Sequence, residues 1–193
     1  MKEFKLSTPL KEAEIRNLRI GDVVYISGII VTSRDMGHLK MREIIEKGEK
    51  LPVDLCGGVI FHAGPVVKKK DSGYELLVIG PTTSIRMEPH SDFIGNLGVK
   101  VIIGKGGMDE GTSNALKKHG MVYLQAPPGC AVVLGEKVEK VENVYWIELG
   151  VPEALWILKV NEFGPLVVGM DSTGDSVYRS IKENGKKLIE KMF

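Results

Sequence analysis

Cysteine, aromatic residues and net charge are all scarce in this sequence. Two of its 193 residues are cysteine, Cys56 and Cys130, and they lie far apart without the spacing of metal ligands. So few thiols do not build a disulfide scaffold, and unpaired cysteines are common in the interiors of proteins from reducing compartments. We therefore expect both cysteines to lie in the core and the protein to be cytoplasmic.

Long apolar runs are also absent. No stretch approaches the roughly 18 uninterrupted apolar residues that span a bilayer, and residues 1–5 have mixed charge and no apolar core of signal-peptide length. A formal net charge of +1 gives no strong field for attracting nucleic acid. The lysine run Lys68-Lys69-Lys70 precedes a predicted hairpin turn at Asp71-Ser72-Gly73 and fits a solvated loop tip. We expect neither a membrane nor a nucleic-acid partner.

What the sequence does have is ordinary globular composition, with 43% hydrophobic and 26% charged residues. The chain is long enough to bury a full core, and it has no internal repeat and no linker that would separate two domains. Residues 1–193 are therefore predicted to form one α/β domain with a mixed sheet. The apolar patterns and turn signals predict strands at residues 4–10, 23–33, 59–61, 75–79, 99–103, 122–124, 144–149, 154–160 and 166–170, and helices at 11–18, from Asp35, near Pro89, at 112–119 and from Asp175 or Ser176.

Three of these predicted strands end in a cation. The strand at 75–79 runs into Gly80-Pro81-Thr82-Thr83-Ser84-Ile85-Arg86-Met87, and two others deliver Arg34 and Lys105. A strand that stops at Gly-Pro leaves free backbone donors, and an arginine beyond it adds a bidentate fork for a carboxylate. Arg34 also precedes a helix, whose first amides favour an anion. The three ends together predict one cationic pocket for a multiply charged acid.

The glycine-rich loop around Lys105 does not fit a nucleotide-binding motif. The stretch from Gly98 to Lys105 is one residue too long for a Walker A loop, and Gly106 stands where a serine or threonine would bind magnesium. The loop also lacks the third glycine of a dinucleotide fingerprint. It leaves a backbone that can approach a small anion with Lys105 as a point charge, or simply a tight turn with a solvent-facing lysine.

The histidines do not predict a metal site. His62, His90 and His119 are scattered without ligand spacing. His38 follows Arg34 in the predicted helix, where it can donate to a substrate carboxylate, act as an acid, or serve only as a structural imidazole. We therefore predict no metal ligand in this chain and keep His38 as a candidate substrate contact.

Taken in order, the motifs resemble those of the β subunit, or C-terminal half, of class I (iron-sulfur) fumarate hydratases and the related L-tartrate dehydratases. The resemblance covers nearly the whole chain. It rests on Leu18-Arg19-Ile20-Gly21-Asp22-Val23-Val24, Thr32-Ser33-Arg34-Asp35 with His38 and Lys40, the segment Gly80 to Met87, Gly104-Lys105-Gly106-Gly107, Ala126-Pro127-Pro128-Gly129-Cys130, Pro152-Glu153-Ala154-Leu155-Trp156 and Phe163-Gly164-Pro165.

The resemblance implies a swivelling β/β/α domain and a partner α chain that carries a 4Fe-4S cluster. In that family three cysteines hold the cluster and leave one iron open as a Lewis acid. The present sequence agrees with such a division, because two cysteines cannot supply three thiolates. The implied reaction is the reversible addition of water to a trans-dicarboxylate.

The resemblance also implies roles for individual residues. Arg34, Arg86 and Lys105 would bind the two substrate carboxylates and the hydroxyl region, and Thr82 would transfer the proton at carbon. A hydroxyl is a very weak base at neutral pH, so Thr82 has an alternative role as a group that only hydrogen-bonds the substrate or caps the next turn.

The sequence thus predicts the β subunit of a heteromeric hydro-lyase that converts fumarate to malate, active only with its α subunit and built on a dimeric core. Two alternatives stay open. One is the β subunit of an L-tartrate dehydratase, since one extra substrate hydroxyl needs only one changed contact. The other is a non-catalytic module that binds a dicarboxylate or supports assembly.

Overall fold

A computed structural model describes residues 1–71 and 73–190 of the chain. Its strands are β1 (Glu3–Ser7), β2 (Val23–Thr32), β3 (Val59–Phe61), β4 (Ala63–Lys70), β5 (Gly73–Pro81), β6 (Val101–Gly104), β7 (Val122–Gln125), β8 (Val138–Tyr145) and β9 (Leu155–Met170). Its α-helices are α1 (Glu12–Ile15), α2 (Asp35–Glu46), α3 (Ser91–Asn96), α4 (Glu110–His119), α5 (Ala131–Glu136) and α6 (Val177–Glu190), with 3-10 segments at Ser84–His90 and Ile147–Leu149.

The main sheet has the strand order β1-β2-β3-β6-β7-β9-β8. Strands β1, β2, β3, β6 and β7 run parallel, whereas β9 runs antiparallel to β7, β8 and β2. Because β9 pairs with both β7 and β2, the sheet closes on itself through β2, β3, β6, β7 and β9. Strands β4 and β5 form a separate two-stranded sheet. The predicted α/β fold with a mixed sheet is confirmed.

Side chains alternate between two cores across the main sheet, as the two-residue period of a strand requires. Along β3, Val59 and Phe61 belong to one core and Ile60 to the other. The first core continues into the β4–β5 hairpin and α5, and the second into α2, α3 and α4. The layers are therefore a small sheet, the main sheet and a layer of helices, in the β/β/α order that the resemblance implied.

This topology brings the predicted cationic strand ends to one edge. The carboxyl ends of parallel strands β2, β3 and β6 lie side by side, so the segments that follow β2 and β6 leave the sheet together. The end of β5 joins them through a parallel bridge between Thr83 and Lys105. Backbone pairing alone thus brings the three segments that carry Arg34, Thr82 and Lys105 to the same edge of the sheet.

The sequence prediction of an extended run at residues 144–149 is wrong beyond Tyr145. Trp146 has a left-handed backbone with φ of 60°, and Gly150 has φ of 94°, so the chain turns through Ile147–Leu149 instead of continuing β8. The two strands predicted at 154–160 and 166–170 are one long strand, β9. Its continuity comes from neighbours on both edges, β8 and β7 on one side and β2 on the other.

The helical spacing of Met36, Leu39 and Ile44 or Ile45, after Asp35 as a capping residue, predicts an apolar face for α2 that differs in part from the one observed. Met36 and Leu39 are 45% and 51% exposed, and the buried face consists of Gly37, His38, Met41 and Ile44. The helix begins at Asp35 and its N-cap residue is Arg34, so Asp35 does not cap it. The Asp35 carboxylate instead accepts hydrogen bonds from a side chain of another segment, described below.

Three smaller predictions have mixed outcomes. Cys56 is exposed and Cys130 only partly buried, so the expectation that both are core residues is wrong. A hairpin is present, but its first strand is β4, which was not predicted, and Lys68-Lys69-Lys70 forms the end of that strand instead of a loop tip. Ser72 of the predicted turn lies outside the described residues. Among the described residues, no helix has the length and apolarity that a membrane crossing demands.

Candidate active site

Arg86 and Thr82 are in direct contact at the end of β5. The guanidinium Nη2 of Arg86 donates a hydrogen bond to Thr82 Oγ1 at 3.2 Å. Its Nε and Nη2 also donate to the two carboxylate oxygens of Asp35, each at 2.9 Å. This bidentate pair fixes the plane of the guanidinium, and within residues 1–71 and 73–190 its Nη1 has no hydrogen-bond partner.

The pairing of Arg86 with Asp35 shifts both groups toward their charged forms. Hydrogen bonds from Arg86 hold the pKa of the Asp35 carboxyl below its ordinary value, outweighing its partial burial. The same hydrogen bonds raise the pKa of Arg86. Each group stabilises the charge of the other, so the site keeps a fixed guanidinium beside the Thr82 hydroxyl.

Backbone hydrogen bonds tie the Thr82 turn to its neighbours on both sides. Thr82 N donates to His62 O at 2.7 Å, and Lys105 N donates to Thr82 O at 3.3 Å. Ser84 N in turn donates to Lys105 O at 3.1 Å. The backbone of Lys105 therefore lies against that of Thr82 and Thr83, and its ammonium group has no hydrogen bond or ion pair with the described part of the chain.

Arg34 enters the same region from the end of β2. It is the residue before α2, and its Nε lies 3.1 Å from Glu153 Oε1. The other oxygen of Glu153 accepts a hydrogen bond from Met36 N at 2.9 Å, in the first turn of α2. Glu153 thus forms an ion pair with Arg34, without a hydrogen bond to Arg34 Nε, and accepts a hydrogen bond from the helix start. Asp35, the next residue in the chain, pairs with Arg86, so Arg34 lies close to this pair.

The site carries excess positive charge. Arg86 pairs with Asp35 and Arg34 with Glu153, and Lys105, whose backbone lies against the Thr82 turn, adds a third cation to the two carboxylates. A dicarboxylate would bring two further negative charges to this region. The arrangement is therefore suited to binding such an acid more than a neutral ligand.

His38 is placed beneath the site rather than on its surface. Its imidazole is fully buried, and its Nδ1 lies 2.8 Å from Arg34 O and 3.0 Å from Ser33 Oγ. Burial lowers the pKa of His38 to about 4, so the ring is neutral at physiological pH. Since a carbonyl only accepts, Nδ1 carries the proton and holds the Arg34 backbone. This placement differs from the predicted contact with substrate, because the imidazole has no exposed surface.

Comparison with known proteins shows the family to which the chain belongs. The family model described as fumarase C-terminus matches residues 1–181. The chain belongs to this family. Its sequence is 44% identical over 187 residues to the L(+)-tartrate dehydratase subunit beta of Escherichia coli K12, covering 96% of this chain and 90% of that protein. It is 45% identical over 185 residues to a candidate L(+)-tartrate dehydratase subunit beta of Methanocaldococcus jannaschii, covering 95% of this chain and 93% of that one.

A third relative has a different length. A candidate class I fumarate hydratase of Geobacillus stearothermophilus is 44% identical over 189 residues, which are 97% of this chain but 35% of that protein. The family of class I fumarate hydratases and L-tartrate dehydratases, predicted from the motifs, is thereby confirmed, with this chain as its β-subunit part.

The side chains of this fumarase C-terminus domain do not fit a 4Fe-4S cluster of their own. Cys56 is exposed and Cys130 partly buried, and neither belongs to a group of possible ligands. In the part of the chain that the structure describes, no three histidine, cysteine or acidic side chains are grouped to hold a metal. The cluster that the resemblance implies therefore needs ligands from elsewhere.

Sequence analysis missed several residues that organise the site. Asp35 was predicted only as a helix cap, and Glu153 was noted only as part of a motif. His62 and Ser84, which lie behind the Thr82 turn, had no assigned role. Two acidic residues within the motifs could have indicated these roles. Asp35, directly after Arg34, pairs with Arg86, and Glu153 pairs with Arg34.

Proposed function

We propose that this chain is the β subunit of a hydro-lyase that adds water to a four-carbon dicarboxylate or removes it. The observation that carries the proposal is the contact between Arg86 and Thr82, with the Lys105 backbone hydrogen-bonded to the same turn. It places a hydroxyl against a guanidinium, on the turn to which the Lys105 backbone is bonded, an arrangement expected where a proton leaves a carbon beside a carboxylate.

The chemistry explains why cations are needed. Dehydration breaks a C–H bond next to one carboxylate and a C–O bond on the adjacent carbon; a C=C bond forms, and the proton and hydroxide leave as water. As the proton departs, negative charge grows on the oxygens of the neighbouring carboxylate. Cations fixed at those oxygens stabilise the transition state more than the ground state, and only this difference accelerates the reaction.

Within this scheme each residue has a defined part. Arg86, through its Nη1, and Arg34 and Lys105 bind the substrate carboxylates and hydroxyl region. Thr82 exchanges the proton at carbon, and the hydrogen bond from Arg86 favours its more negative form. His38, buried under Arg34, positions that residue instead of touching substrate.

Two substrates fit the proposal. The sequence motifs favour fumarate and malate as substrates, and the relative named as a class I fumarate hydratase supports this choice. The relatives matched over nearly their whole length are named as separate β subunits of L(+)-tartrate dehydratase, which favours L-tartrate as the second candidate. Both substrates carry two carboxylates and differ in a single hydroxyl at the dehydrated pair of carbons.

We also propose that an α chain completes the site. The relatives of nearly equal length are named as β subunits, and the two cysteines of the sequence cannot supply the three thiolates of the cluster that the family resemblance implies. A partner holding the 4Fe-4S cluster would face the Thr82 edge of the sheet in a hetero-oligomer with a dimeric core.

The test is an anaerobic assay of this chain mixed with its α partner, using fumarate, L-malate and L-tartrate. We expect turnover by the pair and none by this chain alone, which should be folded and colourless. The substrate with the higher kcat/KM decides between the two candidates. Absence of turnover on all three substrates, with a correctly assembled and iron-loaded pair, would leave the non-catalytic binding module as the better account.

A further inference from the structure

A chain of buried hydrogen bonds lies behind the candidate site and joins its two halves. His62 Nδ1 lies 3.0 Å from Ser84 Oγ, Tyr123 Oη lies 3.2 Å from the same oxygen, and Gly107 N lies 3.3 Å from Tyr123 Oη. His62, Ser84 and Tyr123 have no exposed surface. We call these four residues the His62 network.

The donors and acceptors of the His62 network define one direction. Gly107 N–H donates to the Tyr123 hydroxyl, which donates to Ser84 Oγ. The Ser84 proton then has a single acceptor within reach among the described residues, His62 Nδ1. Burial lowers the pKa of His62 well below its ordinary value, so its ring is neutral and can accept at Nδ1. Every hydroxyl of the network is satisfied only if His62 accepts.

The two ends of the network flank the candidate site. Ser84 lies two residues after Thr82 and two before Arg86, and Gly107 lies two residues after Lys105. No side chain of the network is exposed, so it has no direct access to a ligand at the surface. Its hydrogen bonds instead connect His62, directly after β3, to Ser84 beside Thr82, then to Tyr123 in β7 and finally to Gly107 in the glycine-rich loop.

Close packing leaves the network little freedom. A Cβ atom added at Gly104, immediately before Lys105, would lie 1.8 Å from Ser84 Oγ and 3.2 Å from Tyr123 Oη. The Ser84 hydroxyl therefore presses against the end of β6, and only a glycine fits there. A shift of Ser84 would have to move the strand end that carries Lys105.

Resting on the proposed function, we infer that the His62 network positions Lys105 relative to Thr82 and Arg86. His62 is then a positioning residue, because it acts through Ser84 and Tyr123 on a loop that its own side chain does not touch. The hydroxyls of Ser84 and Tyr123 are both paired in this network, while His62 Nε2 has no hydrogen-bond partner among the described residues. Loss of the terminal acceptor Nδ1 would leave the buried Ser84 hydroxyl unsatisfied. The loosened element would be the glycine-rich loop at residues 105–107.

The test uses a matched pair of variants, His62→Asn and His62→Leu. Both side chains branch at the same carbon and have similar size, but only asparagine offers an oxygen near the position of Nδ1. In the full-length chain we expect His62→Leu to raise amide hydrogen exchange of the peptide covering 105–107 at least about tenfold. His62→Asn should stay within about threefold of the parent. The β7 peptide, residues 122–125, serves as the internal reference.

The same variants are then assayed in the reconstituted pair. We expect His62→Leu to lower kcat/KM at least about tenfold and His62→Asn to retain most of it. Equal exchange in the two variants, or altered exchange with unchanged kinetics, would overturn the inference. If folding of either variant is impaired, Tyr123→Phe, which removes one oxygen, must reproduce both effects. The exchange measurement needs no substrate, so it decides the coupling even if the proposed reaction is wrong.

Discussion

Replacing Arg86 with lysine is expected to lower kcat/KM of the reconstituted pair by about 100- to 1,000-fold, the range seen when one fixed donor to a developing oxyanion is lost. Lysine keeps the positive charge but cannot hold Asp35 with two parallel hydrogen bonds and also reach Thr82. The substitution therefore keeps the positive charge but removes the hydrogen bonds that fix its position. Steady-state kinetics on the preferred substrate measure the effect.

A surface arginine provides the matched control for this substitution. Arg16 also pairs through Nε with a carboxylate, that of Glu12, and its side chain is 42% exposed against 41% for Arg86. Arg16→Lys should leave kcat/KM within about twofold, because such exposed pairs contribute little. Similar melting temperatures for the two variants would show that the Arg86 effect is not one of stability. If Arg86→Lys and Arg16→Lys have the same kcat/KM, the role of Arg86 is refuted.

Thr82→Ala carries the second large expected effect, a fall in kcat of about 100- to 10,000-fold with KM changed by less than about threefold. Alanine removes the hydroxyl that accepts from Arg86 but leaves the backbone bonds of Thr82 to His62 and Lys105 in place. A group that acts only in proton transfer affects kcat, whereas one that only binds substrate affects KM. Thr82→Ser should restore most of the activity.

The neighbouring residue makes the comparison specific. Thr83 is exposed, and its side chain makes no hydrogen bond with the part of the chain that the structure describes. Thr83→Ala removes the same atoms one position along the same turn, so it should keep near-normal kcat and KM. A Thr82→Ala variant with the kcat of Thr83→Ala would show that the hydroxyl of Thr82 does not transfer the proton.

The part of the site that sequence could predict is the part set by local patterns. Apolar runs identified the strands that end before Arg34, Thr82 and Lys105, and the parallel order of β2, β3 and β6 brings strand ends to one edge. Gly120 directly follows the helix predicted at 112–119, and it ends α4 with a left-handed backbone. Such features depend on residues that are neighbours in sequence.

The partners of the cations could not be predicted in the same way. Asp35 and Arg86 are 51 residues apart, and Met36 and Glu153 are 117 apart. No local pattern specifies which acidic residue meets which cation across such distances. The burial of His38 could not be predicted from local sequence either. The buried face of α2 contains His38 and Met41, whereas Met36 and Leu39 on the predicted apolar face are exposed.

Strand β9 shows the limit for secondary structure. Asn161, Glu162 and the Gly164-Pro165 pair interrupt its apolar pattern, so the sequence predicted two strands. Pairing with β2 runs from Val31–Ile157 to Val23–Val167 and spans the interruption. Tertiary pairing on two edges outweighed local propensity here.

The most direct test of the central claim is the crystal structure of the assembled α/β pair with a bound four-carbon dicarboxylate. The account predicts that a carboxylate of the ligand lies within hydrogen-bonding distance of Arg86, that Arg34 or Lys105 contacts the ligand, and that the Thr82 hydroxyl faces the carbon that loses its proton. A dicarboxylate bound in the active site of the complex without any contact to these four residues would contradict it.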